Sequence, residues 1–105
     1  MKVILKSKKD THYAIGDFTE KGIKILKGSR INVIDSYPKM SDRVREIRKN
    51  RKVVDEEGVL LEDVFFNSPS SAAVFVTGRS VNGYIAWRID DKISLKEYYG
   101  KEKEV

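Results

Sequence analysis

A chain of 105 residues is sized for one domain, spanning 1–105, that buries about 65% of its unfolded surface and folds without staples. The absence of cysteine excludes disulfides, thiolate metal sites and cysteine nucleophiles, and a content of 35% charged and 40% hydrophobic residues excludes a disordered chain. The formal net charge is +5, and it has an address: residues 43 to 52 hold Arg43, Arg45, Arg48, Lys49, Arg51 and Lys52 against Glu46, a local balance of +5, while the fifteen basic and fifteen acidic residues elsewhere cancel.

At the amino terminus, Val3-Ile4-Leu5 is followed by Lys6, Lys8 and Lys9, which predicts a frayed or edge strand with a solvated tail. The apolar run is too short for a secretion signal and no stretch has the length of a bilayer span, so the expected setting is cytoplasmic, without a membrane partner. From Thr11 to Thr19 the pattern alternates, with Tyr13 and Ile15 on one face and His12, Ala14, Gly16 and Phe18 on the other. Thr19-Glu20-Lys21-Gly22 turns the chain into Ile23 to Lys27, which predicts an antiparallel hairpin over residues 12 to 27 with a four-residue loop. Arg30 to Ile34 reads either as a third strand or as a continuation after a bulge.

Ser41 and Asp42 suit a helix start, and a helix is predicted from about 41 to 53. Val44, Ile47 and Arg51 form its narrow apolar stripe, extended by Met40 and Val54, and Arg45, Arg48, Lys49 and Lys52 its broad basic face. Asp55-Glu56-Glu57-Gly58 is an acidic turn. Val59 to Phe66 then reads as one strand, or two short ones broken at Glu62-Asp63.

The densest instructions lie between Ser68 and Arg88. Ser68 is an N-cap, Pro69 the first helical residue and Gly78 a left-handed stop, with Ala72, Ala73, Phe75 and Val76 on one side of the helix between them. Asn82-Gly83 reads as a turn whose residues tolerate positive φ, and Tyr84 to Ile89 beyond it as a strand carrying Trp87. Asp90-Asp91-Lys92 turns the chain again into a short helix, Ser94 to Tyr99, capped by Ser94 and ended by Gly100. The fold class is α+β, a small antiparallel sheet with two or three short helices.

Catalysis finds little purchase here. His12 is the sole histidine and lies far from the serines, there is no nucleophile elbow, and Ser68, Ser70 and Ser71 are explained as cap and first-turn residues. Glu56-Glu57, Glu62-Asp63 and Asp90-Asp91 could hold Mg²⁺ for phosphodiester cleavage, but each pair sits at a turn or strand end, where solvation explains it. The loop Gly78-Arg79-Ser80-Val81-Asn82-Gly83 has neither phosphate-binding spacing. The reading is therefore a non-catalytic module with no metal and no cofactor. A row of Arg and Lys on a helix face can neutralise phosphates and release counterions, so DNA is the expected partner. Arg43, Arg45, Arg48, Lys49 and Lys52 are the candidate contacts, with Arg79 and Asn82 from the loop. The alternative is a protein-interaction module whose basic helix meets an acidic partner.

Ser68-Pro69-Ser70-Ser71-Ala72-Ala73 followed by Gly78-Arg79-Ser80-x-Asn82-Gly83-Tyr84-x-x-Trp87 resembles the hallmark of domain of unknown function 4357, in which Trp usually stands at the place of Tyr84. The stretch from Ala14 through Gly16, Phe18-Thr19, Gly22 and Ile25-Leu26-Lys27 to Gly28-Ser29 is similar to that family's amino-terminal hairpin, so the resemblance covers residues 12 to 97. The Ser-Pro-Ser-Ala-Ala and Asn-Gly-Trp elements are also similar to the RAMA domain, with Ser71 an extra residue here. The resemblance implies a prokaryotic restriction-modification setting, attachment or docking to a nuclease or methylase, and reading of DNA, modified DNA included. Nuclease activity does not carry over, because the GIY-YIG motif is absent.

Overall fold

The computed structural model describes residues 1–103. Six strands form one antiparallel sheet: β1 (Lys2–Lys6), β2 (Tyr13–Thr19), β3 (Gly22–Ile25), β4 (Val64–Phe66), β5 (Arg88–Ile89) and β6 (Ile93–Ser94), in the spatial order β4-β3-β2-β1-β5-β6. Four helices complete the α+β fold: α1 (Asp42–Lys49), α2 (Pro69–Thr77), α3 (Gly83–Ala86) and α4 (Leu95–Lys103).

Register sorts the side chains of the sheet onto two faces. Val3 and Leu5 lie opposite Gly16 and Ala14, Phe18 opposite Ile23, and Ile23 and Ile25 opposite Phe66 and Val64. All nine residues are buried and form the core face. The helical side of this core is supplied by Ala72, Ala73, Phe75 and Val76 of α2, each fully buried, and the Phe75 ring lies 5.1 Å from that of Phe66. The two alanines let the α2 backbone lie close to the sheet, as their small volume predicts.

Several expectations need correction. The amino-terminal strand is neither frayed nor an edge: β1 lies between β2 and β5. Its second neighbour arrives more than eighty residues later, a pairing that local pattern does not encode. The hairpin loop is two residues, Glu20-Lys21, because Thr19 and Gly22 already pair. Arg30 to Ile34 is neither of the two strands considered. Arg30 makes isolated bridges to Tyr13 and Val59, and the chain then crosses to the end of α2, where the Asn32 amide donates to the Val76 carbonyl at 2.8 Å.

Helix α1 stops at Lys49 rather than near 53. Asn50 is extended, its side chain accepts from the Lys52 amide at 3.0 Å, and its carbonyl accepts from the amides of Val53 and Val54. This asparagine-centred turn outcompetes another helical turn. The segment before β4 is divided, with bridges at Val59 and Leu60 and a break at the predicted Glu62-Asp63. The strand predicted at Tyr84 to Ile89 begins as helix: Tyr84 to Ala86 belong to the single turn of α3, Trp87 is extended as its C-cap, and only Arg88 and Ile89 pair as strand. Helix α4 starts after Ser94 and runs through Gly100; Ser94 and Glu97 exchange cap contacts, with the Glu97 amide donating to Ser94 Oγ at 3.2 Å.

Candidate nucleic-acid interface

Helix α1 begins as its sequence dictates, with Ser41 Oγ accepting from the Val44 amide at 3.3 Å and Asp42 in the first turn. Its arginines do three different things. Arg43 reaches the sheet edge, donating to the Phe65 carbonyl at 2.8 Å with its guanidinium 4.7 Å from the centroid of the Phe66 ring. Arg45 folds back on the approach to its own helix, donating to the carbonyls of Pro38 and Met40 at 3.2 and 3.3 Å and lying 3.8 Å from Asp35. Both keep part of the guanidinium open to solvent.

Arg48 does not belong to the exposed basic face. It is 8% exposed, and its guanidinium donates to the carbonyl of Asn32 at 2.5 Å and to that of Phe75. Burial lowers its pKa, with Asp35 opposing that shift. The reason is geometric: at about 100° per residue Arg48 lies only about 40° from Val44 and so shares its inward stripe.

What Arg48 meets inside is the carboxyl end of α2. Helix α2 starts on Ser68, whose Oγ accepts from the Ser71 amide at 3.1 Å, and ends on left-handed Gly78. Its last carbonyls are then taken one by one. Phe75 accepts from Arg48, Val76 from the Asn32 amide, Thr77 from Asn32 Nδ2 at 3.2 Å, and Gly78 from the Ser36 amide at 2.9 Å. Helix α2 carries no basic residue in its last turn, so Arg48 supplies the cation that this negative end favours. No local signal in the sequence marks Asn32, whose partner Val76 lies forty-four residues away.

Lys49 and Lys52 are exposed, as expected. Arg51 is exposed as well and leaves the predicted stripe, because α1 ends before it. Arg79 and Asn82 lie on the loop that runs from the carboxyl end of α2 to Gly83, which sits against Pro69 and Ser70 at the amino end of the same helix. Asn82 caps α3, its side chain accepting from the Tyr84 amide at 3.0 Å.

The acidic pairs are turn residues. Asp55 accepts from the amides of Glu57 and Val59, Asp63 from that of Lys27, and Asp90 and Asp91 both adopt positive φ in the β5–β6 turn. Among the described residues no three His, Asp or Glu side chains come together as metal ligands, and no helix is long and apolar enough to cross a membrane.

His12 is half-buried, its Nδ1 2.9 Å from Thr11 Oγ1. Its pKa is pushed below 6.5 by burial first and then by the charges of Arg79 and Arg30. The unfolded chain therefore takes up the proton at higher pH than the folded chain. Stability should be fully present above about pH 6.5 and decline as pH falls through the lowered folded value. Urea melts of the wild type and His12→Gln between pH 7.5 and 5 test this; an equal slope in both would refute it.

A six-stranded antiparallel sheet with its helices on one face, and with one helix end closed by a buried arginine, defines a small α+β module. The chain belongs to the family described as domain of unknown function (DUF4357), whose model matches residues 4–99. The match takes in β1, ahead of the hairpin where the resemblance begins. No curated protein and no solved structure matches the chain.

Proposed function

We propose that this chain is a non-catalytic module that binds duplex DNA through the exposed cations of α1 and the turn after it, in a restriction-modification setting. The observation that carries this is the placement of the whole charge excess in residues 43 to 52. With Arg48 withdrawn into the fold, the footprint narrows to Arg43, Arg45, Lys49 and Lys52, with Arg51 beside them. Arg79 is a further contact from the loop after α2, and Asn82 is occupied as a cap.

Phosphate neutralisation by these cations predicts steep salt dependence, each contact adding about 0.9 to the slope of log affinity against log salt. Fluorescence anisotropy with a labelled duplex should show binding at low salt, and the Lys49→Glu/Lys52→Glu variant should lower both affinity and slope, the slope by about 2. No binding at low salt, or binding indifferent to that variant, defeats the reading.

A second reading has its own support. Val33 and Ile34 are 61% and 67% exposed, and Val33 lines a depression with Arg45, Lys49, Asp35, Asp55 and Glu56. An apolar rim over mixed charges suits a protein surface better than a phosphate backbone. This favours a docking module for a nuclease or methylase, tested by co-sedimentation with such a partner and loss of the complex in Val33→Asp.

A further inference from the structure

The helices pack on the core face of the sheet, and register lays out what stands on the other, where Lys2, Lys6, Tyr13, Lys24 and Phe65 are exposed and Ile4, Ile15, Asp17 and Arg88 half-buried. Lys2, Asp17, Lys24 and Phe65 form one row across β1, β2, β3 and β4. Ile4 and Ile15 are paired beside them, with Arg88 opposite Ile4 from β5, and Lys6 pairs with Tyr13. In an antiparallel sheet with one solvated face, the outward positions are expected to be polar. Here the centre is aliphatic, and two aromatic rings stand out into solvent, Tyr13 at 43% and Phe65 at 47% exposure.

Charge on this face is of one dominant sign. Lys2, Lys6, Lys24 and Arg88 stand against Asp17, with Asp91 at the rim 2.6 Å from Lys6. Between β1 and β5 the surface dips into a depression of about 290 Å³ whose walls include Ile4, Lys6, Lys8, Arg88 and Asp91. Three of those five side chains are cations. Strand spacing and rise put Tyr13 and Phe65 about 17 Å apart, two strands over and four residues along. That distance seats two separated bases of one extended strand, and the cations lie between and beside them.

We infer that the open sheet face is a second binding surface, for single-stranded nucleic acid, on which Tyr13 and Phe65 stack bases while Lys24, Lys6 and Arg88 meet the phosphates. Paired bases are closed to such stacking, so the surface discriminates against duplex. Each stacked base contributes about 1–3 kcal/mol by alanine substitution in such platforms, a five- to hundredfold change in affinity. The inference does not rest on the duplex site of α1, a helix that packs on α2 and reaches the β4 edge through Arg43.

Anisotropy of a labelled oligodeoxythymidylate of about 15 residues at about 50 mM salt is the test. Binding should be seen, fall with salt, weaken five- to hundredfold in Tyr13→Ala and in Phe65→Ala, and weaken again in Lys24→Glu. It should persist in Lys49→Glu/Lys52→Glu, so that loss of the duplex site and loss of this one are told apart. Thermal melts, with buried Trp87 reporting the fold, identify any variant that has unfolded, and Lys24→Glu then decides alone. The inference is overturned by no oligonucleotide binding, by binding that ignores all three sheet variants, or by equal displacement with unlabelled duplex. A concentration-dependent dimer lost in Phe65→Ala, without oligonucleotide binding, overturns it in favour of a contact between copies.

Discussion

Replacing Arg48 by Met should lower the unfolding free energy by about 3–5 kcal/mol and leave duplex-DNA affinity of the folded fraction unchanged. The methylene stem of Arg48 is buried one turn along from Val44, and methionine keeps most of that volume, so the loss is polar. Two buried carbonyls, Asn32 and Phe75, lose a charged donor, and each unsatisfied group costs about 1–3 kcal/mol. The carboxyl end of α2 also loses the cation facing its dipole. Arg48→Lys should recover only part of the stability, since one ammonium does not span two carbonyls as the guanidinium fork does. Melting curves give the answer, with an expected drop of about 10–30 °C in Tm for the Met variant. A stable Met variant with weakened DNA binding would reverse the assignment and return Arg48 to the interface.

Arg48 shows where residue type and helical angle part: its charge groups it with its basic neighbours, whereas a spacing of four residues sets it about 40° from buried Val44. The cap of α2, by contrast, was legible in full, because Ser68, Pro69 and Gly78 act on backbone groups within a few residues of themselves. The core faces of β2 and β3 were legible for the same reason, alternation being local. The interior position of β1, the path of Asn32 and the outer face of the sheet all depend on partners tens of residues away. The α1 cations were legible as a charge excess, but which of them remain free depended on carbonyls contributed by Phe65, Pro38 and Phe75.

Gly83→Ala should be the other severely destabilising change, by about 3–5 kcal/mol, and for a reason different from turn chemistry. Gly83 does not need positive φ; the glycines that adopt it are Gly22, Gly28, Gly58 and Gly78. What it needs is the absence of a Cβ, which would overlap the carbonyl carbon and oxygen of Pro69 and the nitrogen of Ser70, all backbone atoms that have nowhere to retreat. Around that contact the two halves of the sequence signature are joined. The Gly83 amide donates to Ser70 Oγ at 3.0 Å, and Trp87 Nε1, in a fully buried ring, donates to the Pro69 carbonyl at 3.1 Å. The serine-proline block and the asparagine-glycine-tryptophan block are thus two sides of one joint between the start of α2 and the single turn of α3. Their spacing is set by packing, and their serines are engaged in it. Exposed Tyr84 stands outside the joint, so Tyr84→Trp should change stability by less than about 0.5 kcal/mol. Asn82→Ala, which removes only the α3 cap, should cost about 1 kcal/mol. Urea titrations of the three variants separate these costs. A Gly83→Ala protein as stable as Asn82→Ala would mean that α3 can shift away from α2, and that the joint does not fix the fold.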